Sequence, residues 1–143
     1  MSIWTRPIDL AAVNASGIDT AVANLGIEIT QVGDDFLRGR MPVDARTVQP
    51  HGILHGGASV LLAETLGSIA ANYCLRSPEQ RVVGLEINAN HLRAVASGWV
   101  IGTARPIHIG GSTQVWDIRI ENLDGKPTCI SRLTMVVITV PAK

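Results

Sequence analysis

Residues 55–76 read His-Gly-Gly-Ala-Ser-Val-Leu-Leu-Ala-Glu-Thr-Leu-Gly-Ser-Ile-Ala-Ala-Asn-Tyr-Cys-Leu-Arg. Between the two ends of this stretch, the only charged side chain is that of Glu64. A segment that is apolar on nearly every face belongs in a protein interior or at a subunit contact. An ionised carboxylate is costly in such surroundings unless hydrogen bonds or a partner compensate it. Glu64 is therefore either held by a polar network or takes part in chemistry.

The same stretch predicts one long helix. It should begin near His55-Gly56-Gly57 and end before Ser77-Pro78, because proline disfavours helical geometry in the residue before it. About twenty residues would give a helix roughly 30 Å long. A membrane span is the weaker interpretation, because one span would leave several amphipathic strands unexplained and because polar residues interrupt the stretch: Ser59, Glu64, Thr65, Ser68 and Asn72.

Alternating apolar and polar residues on both sides of the helix predict strands. Residues 26–32 and 36–43 flank Gly33-Asp34-Asp35 and predict a β-hairpin, and Asp124-Gly125 is a second hairpin signal. After the helix, strand patterns cover residues 83–90, 99–109, 115–121 and 127–140, with a Gly-Gly-Ser turn at 110–112. Before the helix, residues 44–54 are a predicted loop. Residues 8–24 predict one or two short helices, broken near Ser16-Gly17, that pack over the opening of a cavity formed by other elements.

The order of elements is a hairpin, one long helix and four antiparallel strands, which predicts an α+β fold. Consecutive hairpins predict one continuous antiparallel sheet, and a helix that is apolar all round must be wrapped by that sheet. Such a sheet leaves open edges, so we expect dimerisation to cover them. A chain of 143 residues fits one domain with a real core.

Composition narrows the classes of partner. Twelve basic residues balance twelve acidic ones, so no strong field is available to attract nucleic acid or an anionic membrane. Cys74 and Cys129 have no metal-ligand spacing, and we expect both to be buried free thiols, as in a reducing cytosol. The histidines also lack ligand spacing, so no metal is predicted. The first residues carry Asp9 and no basic region followed by a long apolar core, which predicts no signal peptide and a cytoplasmic protein.

The motif Gln49-Pro50-x-Gly52-x-x-His55-Gly56-Gly57, followed on the helix by Glu64, resembles the signature of the hotdog-fold acyl-CoA thioesterases. Within the phenylacetate-pathway thioesterase superfamily, it is most similar to the branch of the 1,4-dihydroxy-2-naphthoyl-CoA and Arthrobacter-type 4-hydroxybenzoyl-CoA thioesterases. The resemblance covers roughly residues 20–140. It implies a single hotdog domain over 1–143 with a short helical segment at 1–25. It also implies a homodimer, usually paired into a homotetramer, with active sites at the dimer interface.

The resemblance also implies roles for individual residues. Glu64 would be the nucleophile or general base, and Gly56 would offer its backbone N–H to the thioester oxygen. His55 would help to hold that carbonyl, and Gln49 would position the thioester or water from the opposing subunit. The substrate would be a coenzyme A thioester of an aromatic or other compact acyl group, with no cofactor. The remaining substrate contacts would be Ser68 in the acyl pocket and, along the coenzyme A arm, His91, Arg93, Ser112 and Thr113.

The geometry of the predicted helix also favours a site that two chains share. A helix N-terminus presents free N–H groups and partial positive charge, and Gly56 and Gly57 carry no side chain to block an oxyanion. Glu64 lies two turns further, roughly 12 Å along the axis from the helix start. The two groups cannot act on one carbonyl within one straight helix, so a second chain must contribute. Thioester hydrolysis needs a base or nucleophile and an oxyanion donor, but no metal, and no GxSxG motif of an α/β-hydrolase is present.

Other interpretations remain open. A hotdog hydratase or dehydratase would share the fold but normally carries a different His-containing motif. A non-catalytic acyl-CoA-binding module would normally lack the acid or carry a further domain. At the residue level, Glu64 could be a structural carboxylate, His55 a helix cap, and Ser68 a packing residue. Gln49 could be merely solvated and Arg93 an ordinary surface charge.

Overall fold

The computed structural model describes residues 1–141, so the last two residues of the predicted domain lie outside it. The predicted hairpin, long helix and four following strands are all present. In chain order the elements are α1 (Leu10–Ser16), α2 (Ala21–Asn24), β1 (Glu28–Val32), β2 (Leu37–Val43), α3 (Gly56–Asn72), β3 (Gln80–His91), β4 (Gly98–Ile109), β5 (Thr113–Asn122) and β6 (Pro127–Thr139).

One six-stranded antiparallel sheet packs around α3. The helix residues that face the sheet are fully buried, among them Leu62, Leu66 and Ala70. They meet inward-pointing side chains such as Trp116 and Leu133, which are equally inaccessible. The arrangement is the predicted hotdog fold, in which a curved sheet encloses one central helix.

The order of strands in the sheet differs from the prediction. Consecutive hairpins would pair β3 with β4, but the observed order is β1-β2-β4-β5-β6-β3. β3 therefore lies at an edge and pairs with β6 alone. The connection over residues 92–97 crosses the end of the sheet, where Leu92 N–H donates to the Thr128 carbonyl and Leu54 N–H donates to the Val95 carbonyl. A tight turn between β3 and β4 is thereby excluded.

The predicted alternation of β3 is also wrong in its first half. Gly84 lies opposite Met135 and Glu86 opposite Thr134, so Leu85 is an extra residue in a β-bulge. Val82 faces the core, whereas Val83 and Leu85 are 45% and 65% exposed. The bulge shifts the inward positions by one residue, which a strict period of two cannot anticipate.

The central helix is shorter than predicted, with 17 residues instead of about twenty. It ends at Asn72 because the amino-terminal strap (residues 3–6) binds carbonyl groups at and beyond its end. Thr5 N–H donates to the Tyr73 carbonyl at 2.8 Å, and the Thr5 hydroxyl donates to the Leu75 carbonyl at 2.7 Å. The Arg6 guanidinium donates to the Asn72 carbonyl and lies over the Tyr73 ring. Within residues 1–141, no helix is both long and apolar enough to cross a membrane.

Two paired glycines form the surface on which α3 rests. Gly39 of β2 lies opposite Gly102 of β4, and both face Leu66. A Cβ atom built on Gly102 would lie 2.6 Å from Leu66 Cδ1, and one on Gly39 would lie 2.9 Å from Leu66 Cδ2. The helix can therefore approach the sheet only because these two positions carry no side chain.

The prediction of buried free thiols is confirmed. Cys74 and Cys129 are both free and buried. Burial disfavours the thiolate, which raises the pKa of Cys74 to about 11 and raises the pKa of Cys129 as well. Neither thiol has the low pKa of a reactive cysteine.

Candidate active site

The start of α3 is capped by the side chain of His55. Its Nδ1 atom accepts the Gly57 N–H at 2.8 Å, while its carbonyl accepts the N–H groups of Ala58 and Ser59. An imidazole that accepts at Nδ1 carries its proton on Nε2. Among residues 1–141, no acceptor binds the Gly56 N–H. One helix N–H group thus remains free at the positive end of the helix dipole.

A cavity of about 420 Å³, here called the donor cleft, lies beside this free N–H group. The Gln49 side-chain oxygen accepts the His51 N–H, which leaves the Gln49 amide hydrogens free to donate. The His91 ring packs on Gly56, where a Cβ atom would lie 2.9 Å from His91 Nε2. The predicted site residues that line this cleft are Gln49, Gly56, His91 and Arg93.

Glu64 and Ser68 line a different cavity of about 480 Å³, here called the acid cleft. The two side chains are one helical turn apart on the half-buried face of α3. Neither the Glu64 carboxylate nor the Ser68 hydroxyl has a hydrogen-bond partner in the part of the chain that the structure describes. A half-buried carboxylate without a protein partner in a cavity wall is accessible to a ligand.

The opposite wall of the acid cleft is formed by α1 and α2, as the prediction of a segment over a mouth indicated. Apart from Glu64 and Ser68, the polar side chains that line this cleft are already bonded to nearby backbone groups. Asn14 exchanges two hydrogen bonds with the backbone of Ile29, at 2.8 and 2.9 Å. The hydroxyl groups of Ser16, Thr20 and Thr65 donate to backbone carbonyls at 2.6 to 2.7 Å. A ligand in this cleft would therefore meet an apolar surface except at Glu64 and Ser68.

Within one chain, the predicted site residues do not come together but line separate clefts. Gly56 and Glu64 line separate clefts, and eight residues of helix separate them by about 12 Å along the axis. His55 lies on the rim of a third, smaller cleft with Arg46 and Leu61. Ser112 and Thr113 lie at the β4–β5 turn, where the Ser112 carbonyl accepts the Val137 N–H, and they line neither the donor cleft nor the acid cleft. The roles assigned to these residues remain predictions.

Two residues of the candidate site, Gly84 and Asn14, were not predicted from the sequence. Gly84 lies directly against Glu64, since a Cβ atom there would be 2.5 Å from Glu64 Oε1. A glycine inside a strand pattern is a signal of close approach, and it could have been used. Asn14, which fixes α1 to β1, had no such signal because its partner Ile29 is 15 residues away.

Comparison with known proteins identifies the family to which this chain belongs. A profile of the thioesterase superfamily matches residues 51–129. The 1,4-dihydroxy-2-naphthoyl-CoA hydrolase of Escherichia coli strain K12 is 51% identical over 136 residues, which cover 95% of this chain and 99% of the relative. The proofreading thioesterase EntH of Cronobacter turicensis is 51% identical over 135 residues, 94% of this chain and 98% of the relative.

A solved thioesterase structure from Haemophilus influenzae superposes with a TM-score of 0.94 at 48% identity, covering 98% of this chain and 97% of that one. This chain and the thioesterase from Haemophilus influenzae are therefore similar both in sequence and in backbone fold over almost their whole length. The chain belongs to the thioesterase superfamily and is a thioester hydrolase.

Proposed function

We propose that the protein hydrolyses the thioester of an acyl-coenzyme A whose acyl group is aromatic or otherwise compact. The observation that supports this most strongly is the Glu64 carboxylate, which has no partner among residues 1–141 and borders an otherwise apolar cleft. A carboxylate in this position is suited to act as base or nucleophile on a carbonyl carbon.

The active site on this proposal is shared by two protomers. The edge strand β3 is 12 residues long, and its exposed side chains include Val83 and Leu85. A long unpaired edge strand that exposes apolar side chains beside polar ones is a template for pairing with another chain. Glu64 lies against Gly84 of the same edge, so a second copy that pairs along β3 would bring its donor cleft towards Glu64. The pairing of two such dimers into a homotetramer remains a prediction from the resemblance.

The chemistry needs only groups that this chain carries. The thioester oxygen would accept the Gly56 N–H of one protomer, with the Gln49 amide of the same donor cleft beside it. Donors aimed at a developing oxyanion typically contribute about 2.7–4 kcal/mol each. Glu64 of the other protomer would either attack the carbonyl carbon, expelling the coenzyme A thiolate and leaving an anhydride for water to cleave, or take a proton from the water that attacks. Ser68, one turn away, would face the same acyl group or water.

The two clefts suggest how the substrate is divided between them. The acid cleft offers about 480 Å³ with an apolar lining, which suits a compact ring system better than a charged or strongly polar acyl group. The E. coli relative is named for a naphthoyl-CoA substrate, which is of this kind. The coenzyme A arm would follow the donor cleft past His91, with Arg93 available for a phosphate. Ser112 and Thr113 are assigned to the same arm on the resemblance alone.

The test is thiol release from benzoyl-CoA and 1,4-dihydroxy-2-naphthoyl-CoA, followed with a thiol-trapping reagent. We expect Glu64→Gln to reduce kcat by about 10²- to 10⁴-fold, because the amide cannot accept a proton or attack. Glu121→Gln, an exposed change on the outer face of the sheet, is the matched control and should retain full activity. Wild-type turnover in Glu64→Gln would refute the proposed role of Glu64, and hydration of an enoyl-CoA in place of hydrolysis would refute the proposed function.

A further inference from the structure

Strand β3 contacts both halves of the proposed site in one protomer. Gly84 lies under the Glu64 carboxylate in the acid cleft, and the His91 ring lies on Gly56 in the donor cleft. Both contacts are on the face of β3 that looks towards α3. A single edge strand thus touches the acid and the oxyanion donor, although these two groups line separate clefts.

The β-bulge at Leu85 is what allows both contacts. Gly84 and His91 are seven positions apart, and in a regular strand an odd separation places two residues on opposite faces. Because Leu85 has no partner on β6, the ladder counts six positions between Gly84, opposite Met135, and His91, opposite Cys129. Met135 and Cys129 are both buried on the inner face. The extra residue therefore turns Gly84 and His91 towards the same helix.

Gly84 differs from the other glycines that face α3. At Gly39, a Cβ atom would meet a backbone carbonyl, that of Glu28, at 2.9 Å, and at Gly102 it would meet Leu66 inside the core at 2.6 Å. At Gly84 the atom within 2.5 Å is the Oε1 atom of Glu64, the end of a flexible side chain in a cleft. A methyl group at Gly84 would displace the carboxylate and leave the core packing unchanged.

We propose that Gly84 is a positioning residue for the reaction. Its missing side chain forms a notch in the β3 edge that receives the Glu64 carboxylate and sets its distance from a thioester held by the second protomer. The bulge at Leu85 keeps this notch on the same strand face as His91. The inference rests on the proposed role of Glu64, and it adds that the acid is placed by the strand and not by a hydrogen-bond partner.

The test compares Gly84→Ala with Gly111→Ala, a glycine whose added Cβ atom meets nothing within 4 Å. Displacing a catalytic group by about 1 Å can cost about 100-fold in rate, so we expect Gly84→Ala to lower kcat by roughly that factor, with KM and the thermal midpoint close to wild type. Gly111→Ala should match wild type in all three. Unchanged kcat in Gly84→Ala would overturn the inference, and so would a loss of kcat that merely follows dissociation in sedimentation experiments.

A crystal structure of Gly84→Ala gives a readout that does not depend on turnover. We expect the Glu64 carboxylate to lie about 1 Å or more from its wild-type position, because ordinary contact distances must be restored. An undisplaced carboxylate would overturn the inference. An inactive Glu64→Gln together with a fully active Gly84→Ala would reject the notch and keep the proposed function. An active Glu64→Gln would reject the proposed role of Glu64, and the crystal structure would still decide whether the notch places the side chain.

Discussion

His55 shows how one side chain can serve two purposes through its two ring nitrogens. Nδ1 accepts the Gly57 N–H and caps α3, and this fixes the proton on Nε2, which is left free to donate. The two interpretations open from the sequence, a helix cap and a group that holds the thioester carbonyl, use different atoms. They are therefore compatible with each other.

The two roles can be separated by substitution. Asparagine is among the best N-cap residues but lacks the imidazole, so we expect His55→Asn to leave the free energy of unfolding within about 0.5 kcal/mol of wild type and to lower kcat. His55→Ala should lose the cap as well, at about 0.5–2 kcal/mol. Urea unfolding and thiol release measured on the same samples distinguish the two. Full activity in His55→Asn would show that the residue is only a cap.

Among single residues, Glu64 and the glycines at the start of α3 could be predicted as site residues because the reason for each lies in its own sequence neighbourhood. A carboxylate in an apolar helix and a glycine at a helix start can each be interpreted without knowing the fold. Gly84 and Asn14 act through partners that are distant in sequence, namely Glu64 and Ile29. Their part in the site depends on which strands are neighbours, and a single sequence does not specify that.

Among the secondary-structure elements, α3 and the strands beneath it depend on small residues at the contact. Gly39 and Gly102 are paired across β2 and β4 and both face Leu66. The same substitution should therefore have different effects at different glycines, according to what the new methyl group meets.

We expect Gly102→Ala to lower the free energy of unfolding by about 1–3 kcal/mol, because the added Cβ atom would lie 2.6 Å from a fully buried leucine methyl group. Denaturant unfolding against Gly111→Ala as the control measures the difference. A Gly102→Ala protein as stable as wild type would show that α3 can move away from the sheet at no cost.

The elements themselves followed from periodicity and turn residues, but their arrangement did not. The Asp124-Gly125 turn correctly predicted the β5–β6 hairpin, whereas no local signal placed β3 beside β6. The bulge at Leu85 changed which side chains of β3 face inwards. The helix ended early because Thr5 and Arg6 bind its carboxyl end, a contact that spans almost 70 residues of sequence.

For the whole molecule, a site divided between two protomers predicts complementation between inactive variants. In a mixed dimer of Glu64→Gln and Gln49→Ala subunits, one site carries both defects and the other carries neither. We expect random mixing in equal amounts, after unfolding and refolding together, to restore about a quarter of the wild-type activity, since half of the dimers are mixed and each has one intact site. Mixing the two folded homodimers without exchange is the control. If the refolded mixture stays inactive, Glu64 and Gln49 act in a site within one chain.

The amino-terminal strap has a consequence for how the protein is made. Trp4 stacks on Trp116 and donates to the Gly33 carbonyl, and Thr5 binds the Tyr73 carbonyl. During vectorial synthesis on the ribosome, the strap emerges before any of these partners exists, and most of the chain must be translated before Trp116 is available to it. The strap is therefore synthesised before its partners but is expected to be among the last segments to dock.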